Sequence, residues 1–459
     1  MRPLPAWAGE GAVVALAREL PESLEIVDEL LSRGVRIAGV WNQTWCGKAQ
    51  SVIGEQVLWN WARNLEANPG WSEFVEALGG KGIRVLCYVN PMFRDPPDDV
   101  PVERNLFEEG IAGGYFVRNG SGEVYLQKVT AFDVALLDLS SEEAREWMKG
   151  VIRAEMVEKA GCRGWMADFG EALPLDAVMA SGETGEQWHN RYPVEWARLN
   201  REAVMEAGLE GEALVFSRSG FTTTPGEALL LWPRDQLTTW DRFDGMASAL
   251  HGLLEGGFSG IALNHSDVGG YTSLSFLGKE YERDEELLLR WAEMNAFGPL
   301  LRTHEGNAPG QSMQVYGSES AMAGFARMTQ VFAALAPYRE ALFAEAAEKG
   351  WPVVRHLAMH YPDDGQAWEV DDQFLLGSEL LVAPILEPCG DGGCERAVYL
   401  PEGAWVHLWT GGVHAAPRDG SFVSAPAPLG QPPVFYRDGS AASQAIVEAF
   451  SDAGLIPLE

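Results

Sequence analysis

The sequence predicts an α/β fold, a (β/α)8 TIM-type barrel followed by a small antiparallel β-sandwich domain, and three observations carry that expectation. Short β-branched or apolar runs alternate with amphipathic helical stretches as far as about residue 375. Polar or charged residues stand directly after successive runs. Beyond residue 375 the runs shorten and are broken by Gly, Pro and Asp. Alternation argues for parallel strands joined by crossover helices, and chemistry placed after the strands matches a barrel whose active site lies at their C-terminal ends. The expected domains are therefore a catalytic barrel over 1–374 and a β-sandwich over 375–459.

The elements follow in order. VVALA at 13–17 is the first strand, and SLEIVDELLSRG at 23–34 is a helix with Leu24, Val27, Leu30 and Leu31 on one face and Gly34 at its end. VRIAGVW at 35–41 and IRVLCYV at 83–89 are the next strands. SSEEAREWMKGVIRAEMVEKAG at 140–161 opens with a serine cap and acids in its first turn, so it reads as a long helix. GWMADFG at 164–170, ALVFSRS at 213–219, ALLLW at 228–232 and GIALNHS at 260–266 complete the series. FLLGSELLVAPILE, RAVYLPEGAWVHLW, GSFVSAPAPLG and PPVFYRDG then supply short antiparallel strands, with a helix only in the last residues. A doubly wound sheet is disfavoured, because neither GxGxxG nor GxxxxGKS/T occurs early in the chain.

Composition narrows the function. Lys and Arg number 34 against 66 Asp and Glu, a formal net charge of −32, and no basic stripe could track phosphates. Nucleic acid is not an expected partner. The start, MRPLPAWAGEGAVVALARELPE, has an apolar piece too short for a secretory signal or a membrane span, so a cytoplasmic protein with no membrane partner is expected. Five cysteines, Cys46, Cys87, Cys162, Cys389 and Cys394, lack partner histidines at metal spacing. Reduced core or loop thiols are expected, with Cys389 and Cys394 alone spaced to close a small loop.

Two acids then stand out. Asp168 ends the apolar run GWMAD, where a strand-end carboxylate could also cap a helix or pair with an arginine. LLLWPRDQLTTWDRF at 229–243 repeats the pattern, ending a run near Asp235 with Trp232 and Trp240 as flat surface for a sugar ring. Two carboxyls facing across a barrel mouth are the pair that glycoside hydrolysis needs, one to attack and one to protonate the leaving oxygen.

GWMADFGEALP, RSGF at 218–221, WPRDQ at 232–236, SDVGGYT at 266–272, LLRTHEG at 300–306 and DQFLLGSELLVAP at 372–384 stand in that order. From about residue 12 to about 440 the chain resembles glycoside hydrolase family 31, the retaining α-glucosidase family. MADFGE and WNQTW at 41–45 resemble its bacterial sulfoquinovosidase branch most. The resemblance implies Asp168 as nucleophile and Asp235 as acid/base, with no metal or organic cofactor. Arg218 and His304 match residues that bond sugar hydroxyls. Asp267 either holds a hydroxyl or braces its glycine turn, and Glu171 positions neighbours of Asp168.

The resemblance also implies a sulfonate pocket of an arginine, a tryptophan and a tyrosine supported by glutamines. Trp59, Tyr271 and Gln43 fall on matching positions, but Gln56 stands where the arginine belongs. An amide gives a neutral bond of roughly half the strength of a guanidinium's. Lys48 or Arg18 is the expected replacement charge. Arg234 occupies a place where relatives carry a small residue. Relatives also carry a β-sandwich ahead of the barrel, whereas this sequence starts near the first barrel strand. A minimal enzyme, a homo-oligomer, or a partner chain that completes the site are the expectations.

The function expected is a retaining α-glycosidase acting on small-molecule α-sulfoquinovosides, such as sulfoquinovosyl glycerol or the glycolipid. The alternatives are an α-glucosidase or other exo-α-glycosidase on a neutral sugar and, from another class, a catalytically silent sugar-binding or assembly protein.

Overall fold

The computed structural model of the protein describes residues 4–51, 54–129, 131–276, 279–390 and 393–457. Eight parallel strands are distributed along the chain: β1 (Ala12–Ala15), β2 (Ile37–Trp41), β3 (Arg84–Val89), β4 (Gly164–Ala167), β5 (Leu214–Ser217), β6 (Leu230–Leu231), β7 (Asp267–Val268) and β8 (Arg302–Thr303). With the helices between them they are the strand complement of a (β/α)8 barrel. Five of the seven expected runs contain their strand, and the run at 13–17 overlaps β1, which starts one residue earlier. The run at 260–266 stops one residue short of β7, since the ladder to β8 starts only where Asp267 meets Arg302.

The chain folds as two compact units, the first of Ala15–Glu25 and Gly39–Leu231, the second of Met1–Val14, Ile26–Ala38 and Trp232–Glu459. In the first unit the ladder runs β2, β3, β4, β5, β6, with Trp41 opposite Leu86, Val89 opposite Ala167 and Ser217 opposite Leu231. All four residues of β4 and of β5 are buried, as expected of strands covered on both faces. Helix α1 (Trp71–Gly80) buries Trp71, Phe74 and Leu78, the one-face spacing of an amphipathic helix. Helix α2 (Glu142–Val151) has Ser141 as its cap, accepting from Ala144 N, and Glu142 and Glu143 in its first turn. It continues as a π-helix over Ile152–Lys159, a widening that the apolar spacing did not signal.

The second unit holds β1, β8 and β7 in that order, with Val13 opposite Arg302. Its C-terminal part adds β9 (Val354–Arg355), β10 (Phe374–Leu376), β11 (Leu380–Val382), β12 (Glu395–Leu400), β13 (Gly403–His407), β14 (Val413–Ala416), β15 (Ser421–Pro426) and β16 (Val434–Arg437). Six strands form an antiparallel sheet in the order β9, β10, β11, β16, β13, β14, while β12 pairs with β15. Leu375, Leu381, Val398, Leu400, Trp405 and Phe435 share one core from both sheets. The sheet takes its first strand from before residue 375, because Val354 and Arg355 pair with Leu376 and Leu375. A helix over Ala441–Asp452, capped by Ser440, follows.

The cysteine expectation needs correction. Cys87 of β3 and Cys162, just ahead of β4, are joined as a disulfide across neighbouring strands with 6.0 Å between their Cα atoms, and Cys389 with Cys394 forms a second. Cys46 is the free, buried thiol. Among the described residues no helix is long and apolar enough to cross a membrane, and no cluster of three or more His, Cys, Asp or Glu could hold a metal ion.

Candidate active site

Asp168 leaves the end of β4 with its side chain almost out of solvent, 8% exposed. Tyr88 of β3 donates its O–H to Oδ2 at 2.6 Å, and the Phe169 N–H donates to Oδ1 at 2.9 Å. Arg218, one residue past β5, brings Nη1 to 3.2 Å from Oδ1. Three neighbouring strands thus converge on one carboxyl. Burial pushes it above the ordinary carboxylate range, and Arg218, Tyr88 and Phe169 pull against that. Burial, then the Asp168 charge, raises the Tyr88 phenol well above its ordinary value, so Tyr88 stays a donor. Asn90 donates to Tyr88 Oη at 3.2 Å and completes the chain.

The backbone beside Asp168 is unusual. Phe169 has φ 57°, and Arg234, next to Asp235, has φ 74°; among the described residues these are the only non-glycine residues with positive φ. Such conformations cost about 1–3 kcal/mol each and persist where surrounding structure imposes them. At Phe169 that structure is visible. Arg218 Cζ lies 3.9 Å from the centre of its ring, and its carbonyl accepts from Ser219 Oγ at 2.7 Å. Gly170, at φ 112°, leaves the room: a Cβ there would come within 2.5 Å of Ser219 Oγ. Glu171 pairs with the Arg218 guanidinium.

Trp59 joins this cluster, its ring centre 5.3 Å from both Phe169 and Phe132. Gln43 is half-buried in the turn after β2. Lys48 and Gln56 lie on a hairpin, Lys48–Ser51 with Gly54–Val57. Neither is committed to an anion from outside. Gln56 donates to the Glu55 carbonyl at 2.9 Å, and Lys48 Nζ stands 3.7 Å from the Glu55 carboxylate. Arg18 has Nη1 at 3.5 Å from Glu22.

In the second unit Asp235 is exposed, on the loop after buried Trp232. That loop is fastened by Gln236, whose carbonyl accepts the N–H groups of Tyr271 and Thr272, both at 2.9 Å. Tyr271 meets His304 edge to face at 4.6 Å between ring centres. His304 accepts from Gly306 N at Nδ1, which leaves Nε2 to carry the proton as a donor. Burial first, then Arg302 and Arg283, hold its pKa well below the ordinary range, so it is neutral. Asp267 is fully buried and ion-paired with Arg302, its ladder partner, and Arg302 Nε donates to His265 Nε2 at 2.9 Å.

Arg283 ties these loops together. Its guanidinium donates to the carbonyls of Gly270 (3.1 Å), His304 (3.0 Å) and Met313 (2.7 Å). A Cβ on Gly269, at φ 83°, would stand 2.2 Å from Arg283 Cδ, so the SDVGG turn needs its glycine for that contact. Tyr88, Asn90, Arg283 and Arg302 escape a reading of the sequence. The only signal was a polar residue inside or just after an apolar run, as in CYVN and LLRTH.

Comparison with known proteins identifies the family. Residues 14–339 match the family described as glycosyl hydrolases family 31 TIM-barrel domain, and 350–441 match the glycosyl hydrolase family 31 C-terminal domain. The sulfoquinovosidase of Escherichia coli (strain K12) is 40% identical over 437 residues, 95% of this chain and 62% of that protein. The sulfoquinovosidase of Agrobacterium fabrum is 39% identical over 438 residues, covering 95% of this chain and 63% of its own length. A solved family 31 sulfoquinovosidase from E. rectale, bound to an aza-sugar inhibitor, superposes with a TM-score of 0.90 at 37% identity, over 98% of this chain and 65% of that one. The chain therefore spans somewhat less than two thirds of the length of these relatives.

Proposed function

Because the chain belongs to glycoside hydrolase family 31, we propose that it is a retaining α-glycosidase whose substrates are α-sulfoquinovosides, sulfoquinovosyl glycerol or the parent glycolipid. The observation that carries this reading is the Asp168 carboxyl, held by Tyr88, Arg218 and the Phe169 N–H at the C-terminal end of β4. Likeness to sulfoquinovosidases along nearly the whole chain supports the sugar.

In the first step an Asp168 oxygen attacks the anomeric carbon while the bond to the aglycone breaks, and Asp235 gives its proton to the departing oxygen. In the second, water attacks the same carbon, the ester to Asp168 breaks, and Asp235 takes the water's proton. Exposure of Asp235 suits a group that exchanges protons with water. Arg218 and the neutral His304 are the donors to sugar hydroxyls, and Trp59 with Tyr271 meets the sulfonate.

A neutral α-glucoside is the second reading, favoured by Gln56. Paired 4-nitrophenyl α-sulfoquinovoside and α-glucoside separate the two: a higher kcat/KM for the sulfosugar is expected, and a preference for the glucoside reverses the assignment. Proton NMR of early product should show the α-anomer. Release of the β-anomer first would remove the covalent mechanism.

A further inference from the structure

We propose that Arg94 is the cation that binds the substrate's sulfonate, supplying the charge that Gln56 lacks. The inference rests on the sulfoquinovosidase reading above. It begins from Trp59. Eight of the nine tryptophans in the first unit donate their indole N–H to a protein acceptor. Trp59, a residue 8% exposed, is the exception among the described residues. An indole N–H that no protein acceptor takes is available to a ligand oxygen.

Arg94 is built onto the same spot. It follows Met92–Phe93, which pairs with Leu136 and Ala135, and its own N–H donates to the Trp59 carbonyl at 2.9 Å. Its guanidinium carbon lies 4.3 Å from the centre of the Phe132 ring, and that ring stands edge to face with Trp59 at 5.3 Å. The stack holds the head group near the indole by cation–π attraction and leaves its in-plane N–H groups free to donate. Arg94 Nη1 is buried with no hydrogen-bond partner among the described residues. Burial, offset in part by the Asp99 charge, lowers the guanidinium's pKa from its ordinary value, the mark of a cation short of a counter-charge.

The two cations expected for this role already face carboxylates. Lys48 faces Glu55 and Arg18 faces Glu22. Arg94 has a buried donor with no partner among the described residues, and the Phe132 ring touches both its guanidinium and the Trp59 indole. A tetrahedral oxyanion with three equivalent oxygens accepts from both through charged oxygens, whereas a C6 hydroxyl offers one neutral oxygen and weaker bonds. Arg94 is therefore a specificity residue of the sugar's sixth carbon, and a different chain position from the family's arginine does that work.

The test uses the full chain and the ratio of kcat/KM for 4-nitrophenyl α-sulfoquinovoside to that for 4-nitrophenyl α-glucoside. Arg94→Met keeps the length and the contact with Phe132 while losing the charge, and it should lower the ratio about 10- to 100-fold, the range of one hydrogen bond to a charged group. The loss should appear chiefly in KM. Adding Gln56→Arg to Arg94→Met should recover most of it, and Arg94→Lys should fall between, which separates loss of charge from loss of fold. If wild type shows no preference for the sulfosugar, the functional reading fails and takes this inference with it. If wild type prefers the sulfosugar, yet Arg94→Met keeps the ratio and Lys48→Met or Arg18→Met lowers it, Arg94 is not the cation and the functional reading stands.

Discussion

Asp168 is a carboxylate that the fold would rather keep neutral. Burial raises its pKa in the folded chain, so the folded state binds its proton more tightly than the unfolded state does. The sign follows: stability is lost as pH rises from the unfolded pKa to the folded one. Asp168→Asn carries no charge to desolvate, and Arg218 keeps Glu171 as its partner. We therefore expect the variant to lose turnover by at least about a thousandfold and yet to unfold at a higher temperature than wild type at neutral pH. Calorimetry alongside kinetics checks both; a lower melting temperature would mean that the ion pair with Arg218 outweighs the desolvation. At this scale the sequence pointed to Asp168 and Asp235 as acids at or near the ends of apolar runs, and the structure surrounds Asp168 with Tyr88, Arg218 and the Phe169 N–H. Arg94 and Tyr88 were not legible, because what they touch lies far along the chain: 38 residues separate Arg94 from Phe132, and 80 separate Tyr88 from Asp168.

Among the elements, the SDVGG turn after β7 depends most on a single atom left out. Gly269→Ala would force a Cβ into Arg283 and an L side chain into positive φ, and the guanidinium that holds the Gly270 and His304 carbonyls would have to move. A destabilisation of about 1–3 kcal/mol is expected from the strain alone. Tyr271 and His304 flank that turn, so KM should rise as well. Thermal melts and kinetics of the variant measure the two effects, and an unaltered melting temperature would show that Arg283 can retreat at no cost. Strand existence was legible from apolar runs, since β3, β4 and β5 are buried on both faces. Strand length was not: β6, β7 and β8 have two residues each, and their limits are set by partners. The Cys87–Cys162 bond was likewise hidden, for nothing in a spacing of 75 says that Cys162, just ahead of β4, comes beside β3.

For the molecule as a whole, the class of fold could be read from strand and helix alternation, but the division into units could not. The passage of the chain between them is dictated by which strands pair, as with Val13 and Arg302. No single cut separates them: 1–231 carries the first unit together with two segments of the second, and 232–459 has the rest. Each half also carries one of the two acids. Breaking the chain at that point makes hydrolysis a readout of reassembly. Expressed as separate polypeptides broken between Leu231 and Trp232, the halves should each be inert towards 4-nitrophenyl α-sulfoquinovoside, and co-expression should restore hydrolysis as β1 from one polypeptide docks beside β8 of the other. Turnover by either half alone would show that one acid suffices, while a mixed pair of an Asp168→Asn half and an intact 232–459 half should stay silent.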